Sequence, residues 1–240
     1  MGEIILVASG KGGSGKTTFA VNIAGNLAEN GYRTIVLDFN VGLRNADIYM
    51  GMENRVVFDL GDVVSGVCGI EKAIVGSFQS DHPDLLCCPQ YKEIEGFGEG
   101  HVHALYSLLR ERYDYVIVDS PAGLGRDFCC AAAGADRALI LLTMDHLALR
   151  NADAVDRRLE AIGIAKRFSA INLVNRSTWG SESLPDIDTV SKTLGCPLIG
   201  IIQADDSIHL ANNEGQIASI GNESVHELFR TLTSRLIDIE

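Results

Sequence analysis

Positive charge is what this sequence has least of. Twenty Lys and Arg stand against 32 Asp and Glu in 240 residues, a formal net charge of −12. Affinity for nucleic acid rests on neutralising phosphates with Lys and Arg, so this balance argues against a large DNA-binding face. Long apolar runs are absent too. A bilayer-spanning helix needs about 20 consecutive apolar residues, and the strongest runs here, Ile4 to Ala8 and Ala138 to Leu142, have only strand length. There is no internal repeat, low-complexity tract or linker, so a single domain over 1–240 is the economical reading. A strand pattern starts at Glu3, leaving no room for a secretory leader. Six cysteines without that leader suggest reduced thiols and a cytoplasmic protein.

What is present is a steady alternation of strand and helix patterns. Strands are expected at Glu3 to Ser9, Arg33 to Asp38, Asp84 to Cys88, Asp114 to Asp119, Arg137 to Thr143, Ser169 to Asn175 and Pro197 to Ile202. Most are uninterrupted apolar runs, as strands buried on both faces are. Helical spacing lies between them, for example over Thr17 to Asn30, closed by Gly31, and over Leu147 to Ile162. The expectation is an α/β fold, a mostly parallel sheet with helices on both faces.

After the first strand comes SGKGGSGKTT, Ser9 to Thr18. Gly10, four residues, Gly15, Lys16 and Thr17 form a phosphate-binding loop in the strand–loop–helix context that the motif requires. Gly12, Gly13 and Gly15 let backbone N–H groups turn toward phosphate oxygens, and the helix N-terminus adds its dipole. Lys16 is placed for the β- and γ-phosphates, and the Thr17 hydroxyl for Mg²⁺. A second carboxylate site stands in DYVIVDSPAG, where Asp119 ends a strand at the edge at which ligands collect in open parallel sheets.

With its second lysine, Lys11, the loop resembles that of the deviant phosphate-loop ATPases, the MinD/ParA family. VLDFNVGLRNADIYMG, ENRVVFDLGDVVSG, DYVIVDSPAG and NNEGQ extend the likeness over nearly the whole chain and place it nearer the MinD branch. The resemblance implies a P-loop NTPase fold, ATP and Mg²⁺ as cofactors, and an ATPase that dimerises on ATP and helps position the division septum or another cellular structure. It assigns nucleotide contacts to Gly10, Lys11, Gly12, Gly13, Ser14, Gly15, Lys16, Thr17 and Thr18. Lys11 would cross to the partner's phosphates, acting like an arginine finger. Asp38, Thr17 and Asp119 would surround Mg²⁺, Asn175 with Arg176 would meet the adenine, and Ser120 to Gly125 would be the γ-phosphate-sensing switch. An ATP-dependent homodimer and a protein partner of the cell-division type follow.

Four departures from the family pattern stand out. Asn40 occupies the second carboxylate position of Asp-x-Asp, so slow hydrolysis is expected. Asn151 follows Arg150 where the family has Arg-Asp. Gln203, Ala204 and Asp205 replace a Pro-Glu-Asp loop. The last helix carries an apolar stripe, Val225, Leu228, Phe229, Leu232 and Leu236, but only Arg230 and Arg235 face Glu223, Glu227, Asp238 and Glu240. A membrane-surface helix wants Lys and Arg there, so a helix packed on the sheet is expected instead, with recruitment to the membrane's inner face left to a partner. The adjacent pairs Cys87–Cys88 and Cys129–Cys130 raise an alternative, a metal or iron–sulfur cluster carrier of the same fold, although neither pair has Cys-x-x-Cys spacing. A weakly hydrolysing nucleotide-binding scaffold is the third reading. His101 and His103 read as solvated.

Overall fold

A computed structural model describes residues 1–77, 79, 81–90, 94 and 97–238, the side chain of 238 excepted. Seven strands form one sheet: β1 Glu3–Ala8, β2 Thr34–Asp38, β3 Asp84–Cys87, β4 Tyr115–Asp119, β5 Arg137–Thr143, β6 Lys166–Val174 and β7 Leu198–Gln203. The order is β3-β2-β4-β1-β5-β6-β7, and every pairing is parallel. The expected "mostly parallel" sheet is therefore wholly parallel. The helices are α1 Lys16–Glu29, α2 Ala46–Tyr49, α3 Leu60–Val64, α4 Ile70–Ala73, α5 Glu99–Arg112, α6 Arg126–Ala132, α7 His146–Ile162, α8 Ile187–Thr193, α9 Asp206–Asn213, α10 Ala218–Gly221 and α11 Glu223–Asp238.

The central strands are apolar throughout because both faces are covered. Along β1, Ile4, Leu6 and Ala8 point into one apolar layer, with Leu105, Leu109, Phe128 and Val155. Ile5 and Val7 point into the other, with Phe19, Ile23, Leu27 and Phe229. Helix α1 ends as Gly31 predicts: Gly31 has φ +83, its N–H donates to Ala28 O, and the Tyr32 N–H donates to Leu27 O. That pair of bonds is the Schellman closure, which needs a left-handed residue.

Helix α11 packs as the charge of its outer face suggests. Val225, Phe229, Leu232 and Leu236 are buried, and Phe229 meets Phe19 edge-on at 5.3 Å between ring centroids. Arg235 donates to Ile199 O at 2.8 Å, tying the helix to β7. The Asp238 side chain and Glu240, part of the tail's expected acidic face, lie outside the described residues. Among the described residues no helix is long and apolar enough to cross a membrane. Strand β1 lies mid-sheet, and the chain turns left to β2 and right from β4 to β5 around it. The crevice at the carboxyl ends of β1 and β4 is where such sheets hold ligands, and it contains both the phosphate loop and Asp119.

Candidate nucleotide-binding and active site

The loop after β1 is shaped by glycine. Gly13 and Gly15 take φ +75 and +93, in the left-handed region that side chains disfavour. A Cβ on Gly15 would lie 2.4 Å from Asn172 Nδ2, and one on Gly10 2.7 Å from the Asn151 Cβ. Asn172, on β6, donates to Ser14 O at 2.9 Å and holds the loop from behind. Helix α1 has no side-chain N-cap and no acidic residue in its first turn. Its first N–H groups and its dipole are thus available to an anion. No atom stands within 4 Å of a Cβ placed on Gly12 or Gly13, so the loop's inner wall is open. A cavity of about 450 Å³ lies before it, lined by Gly12, Gly13, Gly15, Lys16, Thr17 and Thr18 and, across from them, by Asn40, Leu43, Pro121 and Ala122.

Lys16 is buried. Burial lowers the pKa of its ammonium, against the attraction of Asp119. Thr17 Oγ1 donates to Asp119 Oδ2 at 2.6 Å. Asp119 is fully buried, and its Oδ1 has no hydrogen-bond partner. Burial and then the nearby Asp38 push its carboxyl up to about 7, against the Thr17 and Asn40 hydrogen bonds and Lys16. An orphaned carboxylate oxygen beside a threonine hydroxyl, at the edge of an open phosphate cradle, fits a Mg²⁺ that keeps most of its waters.

Asp38, expected near Mg²⁺, stands beside Asp119 in the β2–β4 register and is held by its own loop. Its Oδ1 accepts from the Asn40 N–H at 3.0 Å and from Asn40 Nδ2 at 2.8 Å. Its Oδ2 accepts from the N–H groups of Asn45 at 2.7 Å and Ala46 at 2.9 Å. Four donors leave it as the post around which residues 40–46 are wound. Asn40 Nδ2 also donates to Asp119 Oδ2 at 2.8 Å. Asp47 is buried against Arg44, with 2.6 Å between Arg44 Nε and the carboxylate.

Lys11 is not in the cradle. Its ammonium is half exposed and lies 3.9 Å from Asp145, the residue that N-caps α7. Nor are Asn175 and Arg176. Asn175 Oδ1 accepts from the Ser177 N–H and hydroxyl at 2.9 and 2.8 Å, and the residue lines a separate cavity with Trp179 and Pro185. Arg176 donates to Gln203 at 2.7 Å, bridging the ends of β6 and β7. Two residues escaped the sequence reading. One is Asn172, the polar interruption of β6. The other is Asn212, within the NNEGQ stretch, whose Nδ2 donates to Thr18 Oγ1 at 3.2 Å.

The cysteines do not form a centre. Cys129 is partly exposed and Cys130 buried; Cys129 Sγ accepts from Arg158 Nη2 at 3.1 Å. Cys87 and Cys88 are both buried, and burial drives their thiols up, away from the thiolate a metal needs. Among the described residues no group of three or more His, Cys, Asp or Glu could hold a metal ion. His101 and His103 are exposed.

Residues 5–218 match the CobQ/CobB/MinD/ParA nucleotide binding domain family. The septum site-determining protein MinD of Bacillus subtilis is 34% identical, over 99% of this chain and 90% of its own length. MinD in the MinC:MinD cell division complex of Aquifex aeolicus is 30% identical, with a TM-score of 0.87 over 99% of this chain and 96% of that one. MinD of Pyrococcus horikoshii complexed with Mg-ADP shares the fold at 24% identity, with a TM-score of 0.88 over 99% of this chain and 96% of that one. These relatives, septum site-determining MinD proteins, do not favour the cluster-carrier alternative. The chain belongs to the CobQ/CobB/MinD/ParA nucleotide-binding family and, within it, to the group of the septum site-determining MinD ATPases.

Proposed function

We propose that this protein is an ATP-driven switch in septum placement, working as one ATPase domain that is monomeric with ADP and dimeric with ATP. It is a Mg²⁺-dependent ATP hydrolase of the MinD type. The observation that carries the site assignment is that Lys16 and Thr17 line an open, glycine-walled cradle while the Thr17 hydroxyl is held by buried Asp119, whose other oxygen has no partner. The loop N–H groups and Lys16 bind the β- and γ-phosphates. Thr17 and Asp119 would hold Mg²⁺, which would neutralise phosphate charge when bound. Asn40 accepts a hydrogen bond from the attacking water but carries no charge with which to take its proton. General-base assistance is worth roughly 10²- to 10⁴-fold where present, less where positioning dominates as in phosphoryl transfer, so turnover is slow.

Lys11 is the dimer's sensor. Its contact with Asp145 is long and solvated, worth about 0–1 kcal/mol, so a partner's phosphates outcompete it. The partner protein is of the MinC kind, the one found with the Aquifex relative. We place the protein in the cytoplasm, at the membrane's inner face when a partner recruits it. Sizing in ADP and in ATP, each with Mg²⁺, with turnover measured on the same sample, tests this reading. A protein that stays monomeric in ATP sinks the switch.

A further inference from the structure

Asp38 and Asp119 end neighbouring strands and stand side by side in the β2–β4 register. Both are fully buried. Two carboxylates so placed are costly unless donors or a cation answer them. Asp38 is answered by its own loop, through three backbone N–H groups. Asp119 has only Thr17 and Asn40 as hydrogen-bond donors, both on Oδ2, with the Lys16 ammonium attracting it from nearby. One group touches both acids: the Asn40 amide nitrogen, 2.8 Å from Asp38 Oδ1 and 2.8 Å from Asp119 Oδ2. Its two hydrogens are thereby both used. The acceptors fix which way the amide faces, because its carbonyl would be repelled there. The Asn40 main-chain carbonyl, not the amide, accepts from the Leu43 and Arg44 N–H groups, both at 3.1 Å. The turn that carries Leu43, 69% exposed at the cleft rim, thus hangs on Asn40.

We propose that the Asn40 amide is a built-in stand-in for a cation. It bridges Asp38 and Asp119 while the metal is absent, and gives up Asp119 when Mg²⁺ and nucleotide enter, which lets the 40–46 turn move. The proposal rests on the Mg²⁺–nucleotide reading of the cleft. An aspartate at this half-buried position would supply no donor and set a third carboxylate beside the other two, so it would lower the metal-free stability of this chain.

The experiment uses the full chain as wild type, Asn40→Asp and Asn40→Ala, all purified with Mg²⁺. Thermal unfolding is followed in EDTA and in millimolar Mg²⁺ without nucleotide, and ADP binding is titrated against Mg²⁺. Wild type should melt at nearly the same temperature with and without Mg²⁺. Asn40→Asp should melt lower in EDTA, or unfold when EDTA is added, and recover with Mg²⁺ alone. In Asn40→Ala, where the amide no longer competes with Mg²⁺ for Asp119, the Mg²⁺ half-point for ADP binding should fall roughly tenfold, the worth of one hydrogen bond to a charged group. Equal stability of wild type and Asn40→Asp in EDTA overturns the proposal. So does a loss that Mg²⁺ does not repair, or an unchanged half-point in Asn40→Ala. If no variant binds ADP with Mg²⁺, the nucleotide reading fails, while the EDTA comparison still decides the stand-in role.

Discussion

Two lysines five positions apart have opposite surroundings, and that contrast can be tested directly. Lys16 is buried in the cradle, whereas Lys11 is half exposed and outside it. Lys16→Ala should weaken ATP binding roughly 10- to 100-fold or more, from the loss of a charge-assisted bond to phosphate. Lys11→Ala should keep monomeric ATP binding within about threefold while losing dimerisation and turnover, and equal nucleotide loss in both variants would refute the trans role. Asp119 carries a pH dependence. Its carboxyl, pushed up to about 7 in the fold from an ordinary 3.8, binds its proton more tightly folded than unfolded. The stability it contributes is complete below about pH 4 and is lost as pH rises to about 7. In EDTA without nucleotide, Asp119→Asn should therefore gain in melting temperature relative to wild type between pH 5 and pH 8. A constant difference across that range would show that Asp119 is not strained in the metal-free protein. The same variant should bind ADP no more tightly with Mg²⁺ than without it.

At the scale of elements, α11 offers the clearest consequence. Its stripe faces α1 and β7, so Phe229→Ala leaves a cavity against Phe19 and should cost about 3–5 kcal/mol in chemical denaturation. With that stripe buried, anionic vesicles should retain little protein with ATP, and strong ATP-dependent sedimentation would contradict the packing. The elements themselves were largely legible. All seven strands were readable, with ends within about three residues, because strands covered on both faces leave apolar runs too short for helices and rich in β-branched residues. The least accurate was β6, which begins at Lys166 rather than Ser169, since its first residues lie toward solvent and carry charge. The short helices α2, α3, α4 and α10 leave too few turns for a period to show. The phosphate loop was legible because its chemistry is local in sequence. Asn172 and Asn212 were not, because each acts on a loop residue more than 150 positions away. The role of Asp38 was hidden for a related reason: its partners are mostly backbone N–H groups, which no residue letter announces.

For the whole molecule the governing quantity is charge. On the proposed dimer, two protomers of formal charge −12 have to meet, so long-range repulsion slows their encounter. The Debye length falls from roughly 30 Å at 0.01 M salt to about 10 Å at 0.1 M, so ATP-driven association should quicken severalfold across that range in stopped-flow light scattering. A rate that falls instead would mean that local attraction at the docking face dominates the encounter. One packing detail also reaches across the molecule. Gly51, just after α2, and Gly215, just after α9, touch backbone to backbone. A Cβ on Gly51 would stand 2.7 Å from Gly215 O, and one on Gly215 2.7 Å from the Gly51 Cα. Both residues are left-handed, at φ +61 and +67. In terms of sequence drift this contact is a ratchet with no half-step. Alanine at either position meets the other chain segment before any compensating change can arise, so tolerated variation should flow around the pair into neighbours such as Ile48 and Leu210, whose side chains are free in solvent.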